Sequence, residues 1–182
     1  FKFAAATFTG KLGTLTVDEN GQWEYLINND SPQVQGLRQD DTYAETFTVL
    51  AEDEFGAIVS KDLTITVKGT NDLPVVSGDD DGTVTATKSE SAKGMVVATD
   101  VDSLDDVKEW TVVDSDGTYG TLSIDSATGE WIYTLDAGKT MPATNATADD
   151  IFYVQAKDLD DGLSAPFPIV IKVQGSGFPP VG

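Results

Sequence analysis

Neither cysteine nor histidine occurs among the 182 residues. Without cysteine the fold has no disulfide, no thiolate metal site and no thiol nucleophile. Without histidine, the usual zinc sites, the Ser-His and Cys-His nucleophile pairs and the commonest general base near neutral pH are excluded. Enzyme chemistry is left with carboxylates, lysine, tyrosine and hydroxyls. Basic residues are also scarce, 11 Lys and Arg against 31 Asp and Glu, for a formal net charge of −20. Both halves share the imbalance, with 12 acidic and 5 basic residues in 1–74 and 19 and 6 in 75–182. Phosphate binding needs clustered Lys and Arg, so nucleic acid and anionic membrane surfaces are not expected partners. Such a surplus repels itself in the compact state unless cations occupy it, which invites metal ions, although acidity alone also serves solubility. No apolar run approaches the ~20 residues needed to cross a bilayer, and the first residues lack the charged and apolar segments of a leader. The sequence therefore reads as soluble, with any export signal lying outside it.

What the chain does contain is a long internal repeat. Gly13-Thr14-Leu15-Thr16-Val17-Asp18 followed by Gly21-Gln22-Trp23-Glu24-Tyr25 recurs as Gly120-Thr121-Leu122-Ser123-Ile124-Asp125 followed by Gly129-Glu130-Trp131-Ile132-Tyr133. In the same order, Phe47-Thr48-Val49-Leu50-Ala51-Glu52-Asp53 corresponds to Phe152-Tyr153-Val154-Gln155-Ala156-Lys157-Asp158, and Leu63–Gly69 to 168–175 with a one-residue shift. The period is about 106 residues, beyond the ~20–50 of solenoid coils and propeller blades, so each copy should be a whole domain. The expected division is 1–74 and 75–182.

The periodicity is that of strands. Leu15 and Val17, then Trp23, Tyr25 and Ile27, alternate with polar neighbours around an Asn20-Gly21 turn, and Leu122, Ile124, Trp131, Tyr133 and Leu135 repeat this in the second copy. Phe47, Val49 and Ala51 form a further strand and Leu63, Ile65 and Val67 another, around Glu54-Phe55-Gly56. No stretch of ten or more residues sustains a helical stripe. Short Thr-, Val- and Ile-rich strands with frequent Gly, Asp and Asn turns predict an all-β chain, an antiparallel β-sandwich in each copy. Residues 69–76, with Pro74 after Asn71-Asp72, read as a short link. Only the second copy has an opening segment, roughly Gly78 to Val107, so the first should lack one or two strands; either the protein continues upstream or the first sandwich is a shorter variant, and an edge that nothing covers would be a liability. The four aromatics Trp23, Tyr25, Trp131 and Tyr133 sit on alternating apolar faces, which assigns them to the core rather than to a sugar-stacking platform.

Gly-Thr-Leu-x-Val/Ile-Asp, Gly-x-Trp-x-Tyr, Phe-x-Val-x-Ala-x-Asp and Gly69-Thr70-Asn71-Asp72-Leu73-Pro74 together resemble the VCBS and cadherin-like repeats of very large bacterial surface proteins, including RTX-type adhesins. The likeness covers nearly the entire chain and fails at Gly175-Ser176-Gly177-Phe178-Pro179-Pro180, where the Asn-Asp pair is replaced. It implies tandem Ig-like or cadherin-like sandwiches displayed outside the cell, in a spacer or adhesive region serving cell adhesion or biofilm formation, with calcium at the junctions. The neighbouring repeats of the same chain are then the main partners, a cell-surface glycan or protein a further one, and the unit itself is expected to be a monomer.

Calcium takes six to eight oxygen ligands at flexible geometry, which Asp and Asn side chains with backbone carbonyls supply. The resemblance to cadherin-type junctions implies Asn71, Asp72, Asp100, Asp102 and Asp158 as the candidate metal ligands. Asp100 and Asp102 stand two apart, on one face if the segment is extended, and Asp158 follows its strand as Asp53 does in the first copy. The competing reading makes these residues turn formers and solvated loop ends, as Asp and Asn chemistry also allows. The runs Asp79-Asp80-Asp81-Gly82, Asp105-Asp106, Asp114-Ser115-Asp116-Gly117 and Asp158-Leu159-Asp160-Asp161-Gly162 lack EF-hand spacing and read as hairpin loops. Two other functions compete with this one. One is a sugar- or peptide-binding module using the loop Ala137 to Asp149; the other, an enzyme with paired carboxylates, has no cleft to hold them, and no enzyme is expected.

Overall fold

The computed structural model describes residues 1–86, 90–102 and 107–177. Asp105-Asp106 and Phe178-Pro179-Pro180 lie outside the described residues. Backbone contacts divide the chain into two compact units, the first comprising residues 1–72 with Val101 and Asp102, the second beginning at Leu73 and including Asp100 and the remainder.

In the first unit, β1 (Lys2–Phe3), β5 (Thr42–Glu52) and β6 (Ile58–Lys68) form one sheet in the order β1-β5-β6. The other sheet is β2 (Ala6–Thr9), β3 (Gly13–Val17) and β4 (Trp23–Ile27), in chain order. All pairings are antiparallel, and the Asn20-Gly21 hairpin sets Val17 opposite Trp23 and Leu15 opposite Tyr25. The sandwich core is Leu15 and Val17 from one sheet against Phe47 and Val49 from the other. Along the chain, between β4 and β5, comes one short helix, α1 (Pro32–Gln35), which no apolar stripe announces. Its signal is local: Ser31 accepts a hydrogen bond from the Val34 amide, and Pro32 begins the helix, where a missing N–H costs nothing.

The second unit is larger. One sheet runs β10 (Glu109–Val112), β13 (Thr147–Lys157), β14 (Phe167–Gln174), β8 (Asp81–Thr85), and the other β11 (Gly120–Ile124), β12 (Glu130–Leu135), β9 (Ser91–Thr99), β7 (Val75–Gly78). One departure from the antiparallel expectation appears, because β8 pairs parallel to β14. A parallel pair needs a long crossover; here nearly the whole unit runs between the two strands. The core includes Trp131, Tyr133, Val96, Val154, Ile169, Ile171 and Val173, all fully enclosed.

Five strands of the first unit have counterparts in the second, β1 with β10, β3 with β11, β4 with β12, β5 with β13 and β6 with β14, while the place of β2 is taken by an isolated Asp116–Thr121 bridge. The second adds β7, β8 and β9, three strands rather than the one or two expected. This difference corrects the placement of Trp23, whereas Tyr25 packs against the core of the first unit. Trp131 and Tyr133 are fully buried and Trp110 nearly so, but Trp23 is 52% exposed and Tyr25 half-buried. Strand phase is the same in both copies; cover is not. Trp131 lies against Gly94 and Gly82, and its indole N–H donates to the Asp79 carbonyl at 3.0 Å. The first unit has no β7 to β9 to supply those neighbours.

A carboxylate clasp and the candidate metal ligands

Strand alternation puts Asp150 in line with Phe152, Val154 and Ala156, and Glu45 in line with Phe47, Val49 and Ala51, all facing the core. Asp150 is 2% exposed and Glu45 7%. A carboxylate so enclosed is costly unless hydrogen-bond donors surround it. For Asp150 the donors are the amides of Thr118 (2.6 Å), Tyr119 (2.9 Å) and Gly120 (3.2 Å) and the Tyr133 hydroxyl (2.9 Å). Glu45 accepts from the amides of Lys11 and Leu12 (the latter at 3.0 Å) and from the Tyr25 hydroxyl (2.6 Å). In both units the amides belong to a Gly-x-x-Gly loop just before the Gly-Thr-Leu strand, Gly10–Gly13 and Gly117–Gly120. A Cβ on Gly117 would come within 2.5 Å of Asp150 Oδ1, and one on Gly10 would strike the Glu45 carboxylate. The clasp therefore joins the middle strand of one sheet to the loop that starts a strand of the other, twice in the chain.

Its electrostatics are consistent with that role. Burial, together with the hydrogen bond to and charge of the adjacent carboxylate, raises the Tyr133 and Tyr25 hydroxyls well above the ordinary tyrosine range. For Glu45, burial pushes upward, but the bonds from Tyr25, Leu12 and Lys11 outweigh it and hold the carboxyl below its usual value. The Glu45 carboxylate, held ionised and supplied with donors from the Gly10–Gly13 loop, ties the two sheets of the first unit together. The sequence reading missed it, although its signal is visible as an acid on the apolar phase of a strand, two residues before Phe47 and Phe152.

The metal candidates are placed as follows. Asn71 and Asp72 follow β6, where the Asn71 amide donates to Gln39 Oε1 at 3.2 Å and the Asp72 amide to Asp102 Oδ2 at 2.9 Å. Asp102 is buried. These three belong to the first unit, whereas Asp100, half-buried just after β9, and Asp158, fully buried just after β13, belong to the second. Asp158 also forms a turn, since its Oδ1 accepts from the amides of Asp160 (2.9 Å) and Gly162 (2.7 Å). Asp53 does the same with Phe55 and Ala57, and Asp18 and Asp125 close the hairpins after β3 and β11 in the same way. The repeated Asp at the end of each motif is thus a turn former. Among the described residues, no group of three or more Asp, Glu, His or Cys side chains is placed to hold a metal ion. The donor type of the five candidates, oxygen only, fits a hard cation such as calcium.

Residues 71–175 match the family described as bacterial cadherin-like domain. The chain belongs to that family. The matched span opens at Asn71 and contains all five candidate ligands. This cadherin-like chain is also similar in fold to solved structures. The Drosophila N-cadherin EC1-4 structure aligns with 96% of it at 15% identity and a TM-score of 0.53, and the chain spans 41% of that structure. The protocadherin gamma B4 extracellular domain (20% identity, 96% of this chain and 24% of that one, TM-score 0.41) and S-layer protein SbsC domains 4 and 5 (13%, 97% of each, TM-score 0.38) are looser likenesses. No curated protein sequence matches the chain. Among the described residues no helix is long and apolar enough to cross a membrane.

Proposed function

We propose that the chain is a calcium-stabilised extracellular repeat, a spacer or adhesive segment of a large bacterial surface protein of the VCBS or RTX adhesin kind, and not an enzyme. The observation that carries this reading is the cadherin-like family match over 71–175, which takes in every candidate ligand. In this proposal 1–74 and 75–182 are successive repeats, and Asn71, Asp72, Asp100, Asp102 and Asp158 supply side-chain oxygens to calcium. The reading draws support from the net charge of −20, which a divalent cation would relieve. Two of the four carboxyl groups, those of Asp102 and Asp158, are also withdrawn from solvent. The main partners are neighbouring repeats, with a surface glycan or protein as a further one, and adhesion or biofilm formation is the setting.

Melting in calcium and in chelator tests this. Extracellular modules bind calcium with Kd values of ~10⁻⁴ to 10⁻³ M, so 10 mM calcium should add about 1.4 to 2.7 kcal/mol. For a unit of this size that raises Tm by roughly 6 °C or more. The Asp100→Ala/Asp102→Ala double variant should lose the increment. An unshifted Tm in the wild-type chain would remove calcium from the function.

A further inference from the structure

The first half of β13 has a strand on one side only. It pairs with β14 along 147–154, whereas β10 meets its other edge at 154–157. The Val113 amide still donates to the Tyr153 carbonyl, but by Ser115 the chain has crossed to β11, where the Ser115 carbonyl accepts from Leu122. Alternate residues of a strand direct their N–H and C=O to opposite edges. The Tyr153 and Lys157 carbonyls face β10, so Asp149 and Ile151, in the same phase, face the edge that β10 vacates. Among the described residues no strand pairs with them there. A cavity of about 460 Å³ opens at this edge, lined by Asp116, Gly117, Thr118, Asp149, Asp150 and Ile151. Every residue around it belongs to the second unit, in which β7, β8 and β9 are in place.

We infer that this gap is a strand-addition site for a short cationic segment of another polypeptide. The segment continues the line of β10, antiparallel to β13, with an apolar residue opposite Ile151 and a lysine or arginine opposite Asp149. Unpaired strand edges hold extended peptides by main-chain hydrogen bonds, while side chains select the sequence. Here charge selects. Asp116 and Asp149 are exposed at the gap, and Asp114 adjoins it, its carboxylate accepting from the Asp116 amide at 3.1 Å. Ile151 and Tyr153 lay an apolar strip along the outer face of the strand, at 52% and 47% exposure. The loop already holds one ammonium, since Lys139 Nζ binds the Asp116 carboxylate and donates to the Gly117 carbonyl at 2.6 Å. One lysine against three carboxylates leaves charge for a second cation. Edge charges of a single sign deter strands of that sign, so a second copy, itself at −20, is a poor occupant and a cationic strand a good one. The first unit supplies the contrast. Its corresponding gap has Thr9 in place of Asp116, Ala44 in place of Asp149 and Lys11 in place of Thr118, and should not take a cationic segment.

The test titrates the full chain with the peptide acetyl-Thr-Val-Thr-Lys-Thr-amide at low salt and in chelator, so that its outcome is separate from the calcium proposal. The amide resonances of Asp149 and Ile151 should move and their hydrogen exchange should slow, with Ala44 and Thr46 unchanged. Asp116→Asn/Asp149→Asn removes two exposed charges and should weaken binding about fivefold. Methylating the valine nitrogen of the peptide removes a ladder donor at unchanged charge and should abolish the slowed exchange. The inference is overturned if Asp149 and Ile151 are unmoved at ~1 mM peptide, where even a Kd of that order would show. Equal binding of the methylated peptide would leave charge attraction without strand pairing, and equal effects at Ala44 and Thr46 or an unweakened double variant would remove the selecting carboxylates; each overturns it. So does sedimentation of the peptide-free chain as a dimer with these amides protected, which would make a second copy the occupant.

Discussion

Replacing Asp150 with alanine removes the acceptor for four donors at once. Their fates differ. Thr118 is exposed and Tyr119 half-buried, so water can reach those amides, whereas Gly120 and Tyr133 are buried. An unsatisfied buried donor costs about 1–3 kcal/mol, and a hydrogen bond to a charged group is worth about 1.5–3 kcal/mol. Counting two donors left dry and two that recover water, the substitution should destabilise the second unit by about 3–5 kcal/mol. That is a large share of the ~5–15 kcal/mol holding a domain folded. Tyr133→Phe removes one donor and leaves the carboxylate three, so it should cost only about 1–1.5 kcal/mol. In the double variant the two losses should not add, because the hydroxyl and the carboxylate share one bond.

Urea unfolding followed by tryptophan emission measures this, since Trp110 and Trp131 are both buried in the second unit. With an m-value of ~2 kcal/mol/M, a loss of about 4 kcal/mol lowers the midpoint by about 2 M at unchanged slope. Buried ionic groups can be neutral or even unfavourable relative to an apolar substitute, so the outcome is not dictated by hydrogen-bond counting. A drop below about 1 kcal/mol for Asp150→Ala, or strict additivity with Tyr133→Phe, would show that the clasp does not hold the sheets together.

The first unit should show the same dependence through pH. Because the Glu45 carboxyl is held below its ordinary value of 4.5 in the fold, its stabilisation is complete above that value and disappears as pH falls through the lower folded value. A side-chain NMR titration should find Glu45 ionising below the free-glutamate range, and Glu45→Gln should flatten the acid limb of the stability profile. Titration at or above 4.5 would contradict the clasp geometry there. In the second unit, Gly94→Val should force a Cβ against the Trp131 ring, costing about 1–3 kcal/mol by overpacking. The expected readout is a red-shifted emission as the indole gains solvent, and an unshifted spectrum with wild-type stability would mean that the glycine is not needed there.

Much of the fold could be read from residue order because strand phase is a local property. The Asn20-Gly21 hairpin, its one-residue-longer counterpart and the paired strands around Gly56 appear where alternation and turn chemistry put them. Phase says which face a side chain takes, however, and not whether anything covers it. Trp23 and Trp131 occupy equivalent places in the same motif; one is exposed and the other enclosed because β8 and β9 exist in only one unit. Burial of an inward residue is decided by strands distant in sequence, which no window around the tryptophan contains. The parallel β8–β14 pair escaped for the same reason, since its partners are separated by almost the length of the unit.

The carboxylate clasp was legible and went unread. A glutamate or aspartate in the apolar phase of an otherwise regular strand conflicts with its surroundings, and such a conflict points to a specific partner. The partner here is the loop that runs from a glycine to the glycine of Gly-Thr-Leu three residues on, together with the tyrosine of Gly-x-Trp-x-Tyr. Read in this way, the recurring motifs are parts of one device: the glycine loop presents amides, the tyrosine adds a hydroxyl, the strand acid receives both, and the closing Asp ends the strand in a turn. Many of the acidic residues that suggest ions are accounted for by such backbone contacts, as at Asp18, Asp53, Asp125 and Asp150. The calcium proposal consequently rests on Asn71, Asp72, Asp100, Asp102 and Asp158 rather than on acidity in general, and the double variant at Asp100 and Asp102 isolates two of those five from the acids that serve the fold.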